Sequence, residues 1–161
     1  MQSFDYFILA RVFHIIGIVL WIGGVAFVTL VLLPSLKKIP NKQERMTLFE
    51  KLEGAFSFQA KFSTLITGLS GVYMLEYMNA WSRYLEFQFW WMHLMTLVWF
   101  IFTVVLFVLE PLFSHKWFNQ QAKLNCDKTF KYLHIMHIVL LSISLIAIFG
   151  AAGGVHGLSF I

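Results

Sequence analysis

The stretch that decides the fold is Phe13-His14-Ile15-Ile16-Gly17-Ile18-Val19-Leu20-Trp21-Ile22-Gly23-Gly24, a histidine within an otherwise apolar run. The run extends over residues 12–33, and a helix needs about 20 such residues to cross a bilayer. At helical spacing His14, Gly17 and Trp21 share one face. A ligand-capable nitrogen beside a missing side chain predicts room at Gly17 for a flat cofactor.

The composition indicates a membrane protein, because 59% of the residues are hydrophobic, 12% are charged and the mean hydropathy is +0.74. Four apolar stretches are each long enough to span a bilayer, at about 9–33, 58–78, 88–111 and 132–155. They take up more than half of the 161 residues, so we predict a single transmembrane domain over 1–161. The predicted fold is all-α, an integral membrane four-helix bundle with up-down-up-down topology, which can hold a cofactor between facing helices.

The distribution of basic residues predicts the orientation in the membrane. Ten of the twelve Lys and Arg fall in two loops and the adjoining span ends, which leaves Arg11 and Arg83 on the other side. Cytoplasmic loops carry the excess of positive charge, so both termini are predicted to face outward. A pI near 9.3 suggests nucleic acid in a soluble protein, but here the basic residues flank the spans. We therefore predict the lipid bilayer as a partner, and no nucleic acid.

Six histidines are the main chemical signal, since ionisable groups within spans are costly and usually face the interior or a partner. His14 and His93 each lie about seven residues, roughly 10 Å, outward of the middle of spans one and three. Two level histidines on different helices suit a six-coordinate haem. We predict an outer haem b bound by His14 and His93 and lined by Gly17 and Trp21. The alternative is that both rings bond neighbouring helices or headgroup water.

His137 is the candidate for a second, inner site, because it continues a stripe of small and polar residues along span four. Glu110 lies at similar depth and is expected either to orient the His137 ring or to meet headgroup water. His134 is one turn nearer the surface, where water is expected to satisfy its nitrogens. His156 follows a glycine-rich segment and is a further metal candidate, either competing with His93 or solvated.

Two segments place imidazole and thioether together, as copper(I) prefers: Met92-His93-Leu94-Met95 and His134-Ile135-Met136-His137. A copper-binding or copper-transport protein is therefore the alternative to a haem protein. A structural membrane subunit without a cofactor is a third possibility. Methionines within spans also serve as packing residues, so their presence does not decide among these classes.

A family resemblance rests on His14-Ile15-Ile16-Gly17-Ile18-Val19-Leu20-Trp21-Ile22-Gly23-Gly24, followed by Leu33-Pro34. This stretch resembles the first-helix signature of the CopD-like superfamily of small membrane proteins, which includes copper-resistance membrane proteins and HemJ-type protoporphyrinogen oxidases. The resemblance implies a multi-pass helical bundle of the bacterial inner membrane, in which the termini predicted above to face outward would be periplasmic. It also implies a histidine-bound metal cofactor on the first helix, and frequently a homo-oligomer.

Span three departs from the oxidases within that superfamily. HemJ-type enzymes depend on a lysine there, whereas this chain has His93 and no lysine between Phe89 and Glu110. Electron transfer through bound haem, with a quinol or another redox partner, is therefore favoured over protoporphyrinogen oxidation. Whether the chain acts as an oxidoreductase enzyme is left open.

Overall fold

The computed structural model describes residues 2–158, and for residues 2, 111–124 and 155 only the backbone. Every regular element within these residues is a helix, so the all-α prediction is confirmed. The α-helices are α1 (Gln2–Phe27), α2 (Leu33–Lys37), α3 (Lys42–Tyr77), α4 (Trp90–Val104) and α5 (His115–Val155). Two π-helical segments, Val28–Leu32 and Val105–Ser114, and two 3₁₀ turns, Ala80–Leu85 and Phe87–Phe89, lie between them.

Both segments that the sequence predicted to be basic loops are largely helical. α3 begins at Lys42, because the Asn41 side chain caps it by accepting from the backbone N–H groups of Gln43 and Glu44 at 3.0 and 3.3 Å. The second segment belongs to α5, apart from a non-helical residue at Asn125 (φ −154°, ψ 87°). Asn125 Oδ1 accepts the Lys128 N–H at 3.1 Å, which restarts the helix.

α1 packs most extensively on α3, and α4 on α5. The α1–α3 pair is antiparallel, with Gly17 against Ser63 and Thr67 and, further along, Gly24 against the Phe56 ring. In the second pair, glycines of α5 lie against tryptophans of α4, including Gly150 on Trp90. Small residues at each seam let the backbones approach closely, as is common between membrane helices.

α3 is polar inside and apolar outside. Its buried residues include five hydroxyl side chains, whereas large apolar side chains on its other face are exposed, among them Phe58, Phe62 and Leu69. Three segments are long and apolar enough to cross a membrane, Ser3–Lys37, Phe87–Glu110 and Asn125–Gly154. The predicted span at 58–78 is not among them, because its hydroxyls and Lys61 lower its mean hydropathy.

A buried arginine joins α3 to α5 at the basic end. Arg45 is only 6% exposed, and its guanidinium donates to the Ile39 carbonyl at 2.8 and 3.2 Å and to Asp127 at 2.7 Å. The exposed Lys42 lies 3.8 Å from the same carboxylate. These contacts bring the start of α3 against the part of α5 that follows Asn125, so the two predicted inner segments pack on each other. Lys116 and Lys123, counted among the basic residues of these segments, have side chains outside the described part.

Candidate functional site

His14 is held by the neighbouring helix through one ring nitrogen. It is half-buried on α1, and its Nδ1 lies 2.8 Å from the Thr67 carbonyl and 3.2 Å from Ser70 Oγ. A carbonyl only accepts, so Nδ1 carries the proton and Nε2 keeps its lone pair in the neutral ring. A backbone carbonyl fixing the tautomer and orientation of an imidazole is the usual arrangement behind a metal-ligating histidine.

The expectation of open space beside Gly17 is wrong. A Cβ at Gly17 would overlap Thr67 Oγ1 and lie 3.1 Å from the Ser63 carbonyl oxygen. Gly17 is buried because α3 fills this space. Its structural role is therefore the close approach of two helices, and a macrocycle does not fit between α1 and α3 at this level.

His93 is exposed at the start of α4, and its Nε2 lies 2.9 Å from the Tyr84 carbonyl. The His93 imidazole and the Tyr84 ring meet edge to face, with their centroids 5.2 Å apart. Nδ1 of His93 has no described partner. The depth of α4 is fixed by Trp99 Nε1, which donates to the Thr64 carbonyl at 2.9 Å. Counting from that contact puts His93 and His14 within about one helical turn, roughly 5 Å, in depth. The described contacts of the His14 imidazole and those of the His93 imidazole have no residue in common.

Trp21 is 3% exposed and meets Phe102 edge to face at 5.0 Å and 87°. Its indole Nε1 has no hydrogen-bond partner in the described structure. Buried Trp N–H groups usually have an acceptor, because an unmade bond there is costly. This donor is therefore free to bind a polar group in the centre of the molecule.

The inner histidine His137 bonds only to its own helix. It is half-buried, and Nδ1 donates to the Leu133 carbonyl at 2.9 Å, which leaves Nε2 as an available ligand. Glu110 does not orient it, so the first of the two roles expected for that carboxylate is wrong. The carboxylate instead accepts from Ser57 and pairs with Lys61 at 3.2 Å. Ser57 lies on α3, so Glu110 is committed to α3 rather than to α5.

His134 has partners on both ring nitrogens, contrary to the expectation that water satisfies them. Nδ1 accepts from Lys37 Nζ at 2.7 Å, so Nε2 carries the proton and donates to the Thr29 carbonyl at 3.0 Å. Thr29 belongs to the π-helical segment after α1. His134 therefore connects α5 to the Val28–Leu32 segment and to α2. It has no nitrogen left for a metal.

His156 is exposed, and its Nδ1 donates to the Ala152 carbonyl of its own helix at 2.7 Å. It makes no described contact with His14 or His93. Among the residues that the structure describes, no group of three or more His, Cys, Asp or Glu is placed to hold a metal ion.

The structure also assigns roles that the sequence reading missed. Thr67 and Ser70, which contact His14, are not among the residues that the sequence pattern predicts for the site. The sequence does contain a signal for polar contacts on this helix, because hydroxyl residues recur at helical spacing within an apolar stretch. Small size and polarity both mark a helix interface, and the sequence alone does not separate the two roles.

We expect His134→Ala to destabilise the protein by about 1–3 kcal/mol, because the buried Thr29 carbonyl loses its donor. His156→Ala is the matched control, since that ring is exposed and bonds only within its own helix. Thermal unfolding in detergent, followed by helical circular dichroism, measures both. Equal midpoints for the two variants would contradict the bridging role of His134.

Comparison of the chain with protein-family models, with curated proteins and with solved structures finds no match to it.

Proposed function

We propose that the chain is an integral membrane protein whose four long helices all cross the bilayer as an up-down-up-down bundle. Support for α3 as the fourth span comes from its inverted polarity. Buried hydroxyls and exposed Phe58, Phe62, Leu65, Ile66 and Leu69 suit a helix surrounded by lipid, where no hydrophobic force drives polar groups outward. The basic end faces the cytoplasm of a bacterium, and both termini face the periplasm.

Within this bundle we propose a haem b-binding electron-transfer function. The observation that carries it is His14, an intramembrane imidazole whose Nδ1 is fixed by Thr67 at 2.8 Å while Nε2 remains a free ligand. His93, at similar depth with Nδ1 free, is the proposed second ligand on the outer side. His137, with Nε2 free, is the proposed ligand of an inner site.

When bound, haem supplies one-electron chemistry between ferric and ferrous iron. The chain's own residues supply the surroundings. The Thr67 carbonyl orients the His14 ring, and its bond to Nδ1–H makes that imidazole a stronger ligand. The buried Trp21 N–H is a donor in an apolar, low-dielectric setting. The proposed partners are a membrane quinol and an acceptor at the outer face.

The test is a visible spectrum of the detergent-purified protein and three variants. We expect an intense haem absorption band in the natural chain and its loss in His14→Ala, because the histidine that would hold the haem is gone. His93→Ala is expected to convert low-spin haem to high-spin haem. His134→Ala should retain its haem, because neither of its ring nitrogens is available.

Two outcomes contradict the proposal. A colourless natural chain, or one whose metal analysis gives copper, excludes haem electron transfer. An unchanged spectrum in His14→Ala shows that the ligand lies elsewhere.

A further inference from the structure

The outer turn, residues 78–89 between α3 and α4, presents two large apolar side chains almost completely. Leu85 is 90% exposed and Phe87 is 77% exposed, the two highest values among the large apolar residues that the structure describes. Exposed apolar surface is unfavourable in water, and a patch of it commonly marks a contact with a membrane, a ligand or another protein. These two side chains therefore mark a candidate contact surface.

Tyr84 holds the outer turn against the start of α4. Its hydroxyl lies 2.7 Å from Thr96 Oγ1, and its carbonyl accepts from His93 at 2.9 Å. The Trp81 ring stacks on the Tyr84 ring, with their centroids 6.2 Å apart. Leu85 follows Tyr84 directly in the chain, so its direction is set by a turn that is bonded to α4.

The outer turn has a polar side and an apolar side. Glu86 is extended (φ −108°, ψ 122°), so the side chains before and after it, Leu85 and Phe87, point away from its carboxylate. Gln88 Nε2 donates to the Glu86 carboxylate, so these two polar side chains lie together. Apolar and polar side chains therefore lie on opposite sides of the turn, as they do in segments that lie in a membrane interface.

The position of the outer turn along α4 matches the surface of a bilayer. The apolar segment that is long enough to cross a membrane is Phe87–Glu110, so Phe87 begins it and Leu85 lies just outside it. Trp81 and Tyr84 belong to the same turn, and tryptophan and tyrosine are enriched at the level of the headgroups. The two exposed side chains are therefore continuous with the proposed lipid-facing surface of α4.

The charge of the outer turn also suits lipid headgroups. The Arg83 guanidinium lies 5.3 Å from the centre of the Phe89 ring, and it makes no ion pair within the described part of the chain. Its donors are open to phosphate oxygens, which guanidinium groups bind through two parallel hydrogen bonds. Lipid phosphates lie just outside the hydrocarbon, at the level where Phe87 begins the apolar segment.

We propose that the outer turn is a membrane-interface anchor, in which Leu85 and Phe87 insert into the outer leaflet while the Glu86 side faces water. The occupant of this surface is the phospholipid of the bilayer that the chain crosses. The inference rests on the proposed membrane bundle and not on the haem. Its consequence is that the start of α4, which carries His93, is held at the membrane surface.

The test uses a bimane fluorophore on single introduced cysteines of the purified full-length chain in phospholipid nanodiscs. Lipids carrying a nitroxide quench the fluorophore from the bilayer, and iodide quenches it from water. We expect lipid quenching of the Leu85→Cys and Phe87→Cys labels to exceed that of a Glu86→Cys label by about threefold, with the order reversed for iodide. The natural chain, whose Cys126 is 2% exposed, gives the background.

Glu86→Cys is the matched control, because this residue is exposed, lies between the two test positions and belongs to the polar side. Neither test substitution removes a packed side chain, since Leu85 and Phe87 are almost fully exposed. Leu97→Cys, at an exposed apolar position within α4, tests the membrane bundle separately.

The outcomes separate the anchor from the bundle. A Leu97 label quenched by lipid, together with Leu85 and Phe87 labels quenched no differently from the Glu86 label, overturns the anchor and leaves the bundle intact. Leu85 and Phe87 labels shielded from both quenchers also overturn the anchor, because a second copy or another protein then covers the turn. A Leu97 label quenched by iodide contradicts the bundle, and the anchor with it.

Discussion

Gly17→Leu is expected to prevent α1 from packing on α3, and this is the largest stability effect that we predict. Even an added Cβ would overlap Thr67 Oγ1 and lie 3.1 Å from the Ser63 carbonyl and 3.3 Å from the Thr67 nitrogen. Two of these atoms are backbone, so they cannot turn aside as the end of a flexible side chain can. Overpacking usually costs about 1–3 kcal/mol, and a rigid backbone neighbour places leucine above that range.

Gly23→Leu is the matched control, because an added Cβ there has no atom within 4 Å. It lies on the same helix and changes the sequence in the same way, and Gly23 is exposed. Thermal unfolding in detergent is expected to show a normal midpoint for Gly23→Leu and no cooperative transition for Gly17→Leu. Equal midpoints would show that α1 and α3 separate easily at Gly17.

A double variant identifies the contact that matters. Gly17→Ala alone should lower the midpoint, and Thr67→Ala removes the nearest atom, Oγ1, from its path. We expect the pair to recover part of the loss but not all, because the Ser63 carbonyl and the Thr67 nitrogen remain. Full recovery would mean that the backbone accommodates a methyl group there.

The sequence predicts the helical class well because its strongest signal is hydrophobic length. The apolar runs around His14 and His93 leave no alternative to long helices. The connections are less predictable, since residues 42–56 are polar and their pattern predicts a loop. A polar stretch forms a helix when a side chain such as Asn41 caps its start and a buried side chain such as Arg45 bonds it to another helix.

The site was predicted less completely, for a reason visible at Gly17. A missing side chain on a helix face has two physical uses, room for a ligand or close approach of another helix. The sequence does not distinguish them, because the choice depends on which face of α3 meets α1. The neighbour is Thr67, a residue 50 positions away in the chain.

The same limit applies to partner choice among polar residues. Depth along the helices predicts that Glu110 and His137 lie at the same level, yet depth does not give rotation about a helix axis. The π-helical segment Val105–Ser114 changes that rotation, because each π turn contains more residues than an α turn. Glu110 accordingly meets Ser57 and Lys61 on α3.

The second large effect is expected at this Glu110–Lys61 pair. Glu110→Leu removes the acceptor of both Ser57 and Lys61, whose side chain is 30% exposed, and leaves an unpaired ammonium beside apolar surface. Breaking a buried ion pair on one side is strongly destabilising. Because Lys61 is partly exposed and has a flexible stem that can reach the surface, we expect a loss of about 2–3 kcal/mol. Glu76→Leu, at an exposed carboxylate of α3, should change the stability by less than about 0.5 kcal/mol.

The double variant Lys61→Met, Glu110→Leu determines whether the pair stabilises the fold or is kept for another purpose. Replacing both members of a buried pair by apolar side chains is often neutral or stabilising, since neither charge must then be removed from water. We expect the double variant to unfold near the natural midpoint, which makes the two single losses strongly non-additive. Additive losses, measured by the same thermal unfolding in detergent, would show that the ion pair itself holds α3 against the Val105–Ser114 segment. Recovery of stability in the double variant would instead show that two apolar side chains hold α3 against this segment as well as the ion pair does.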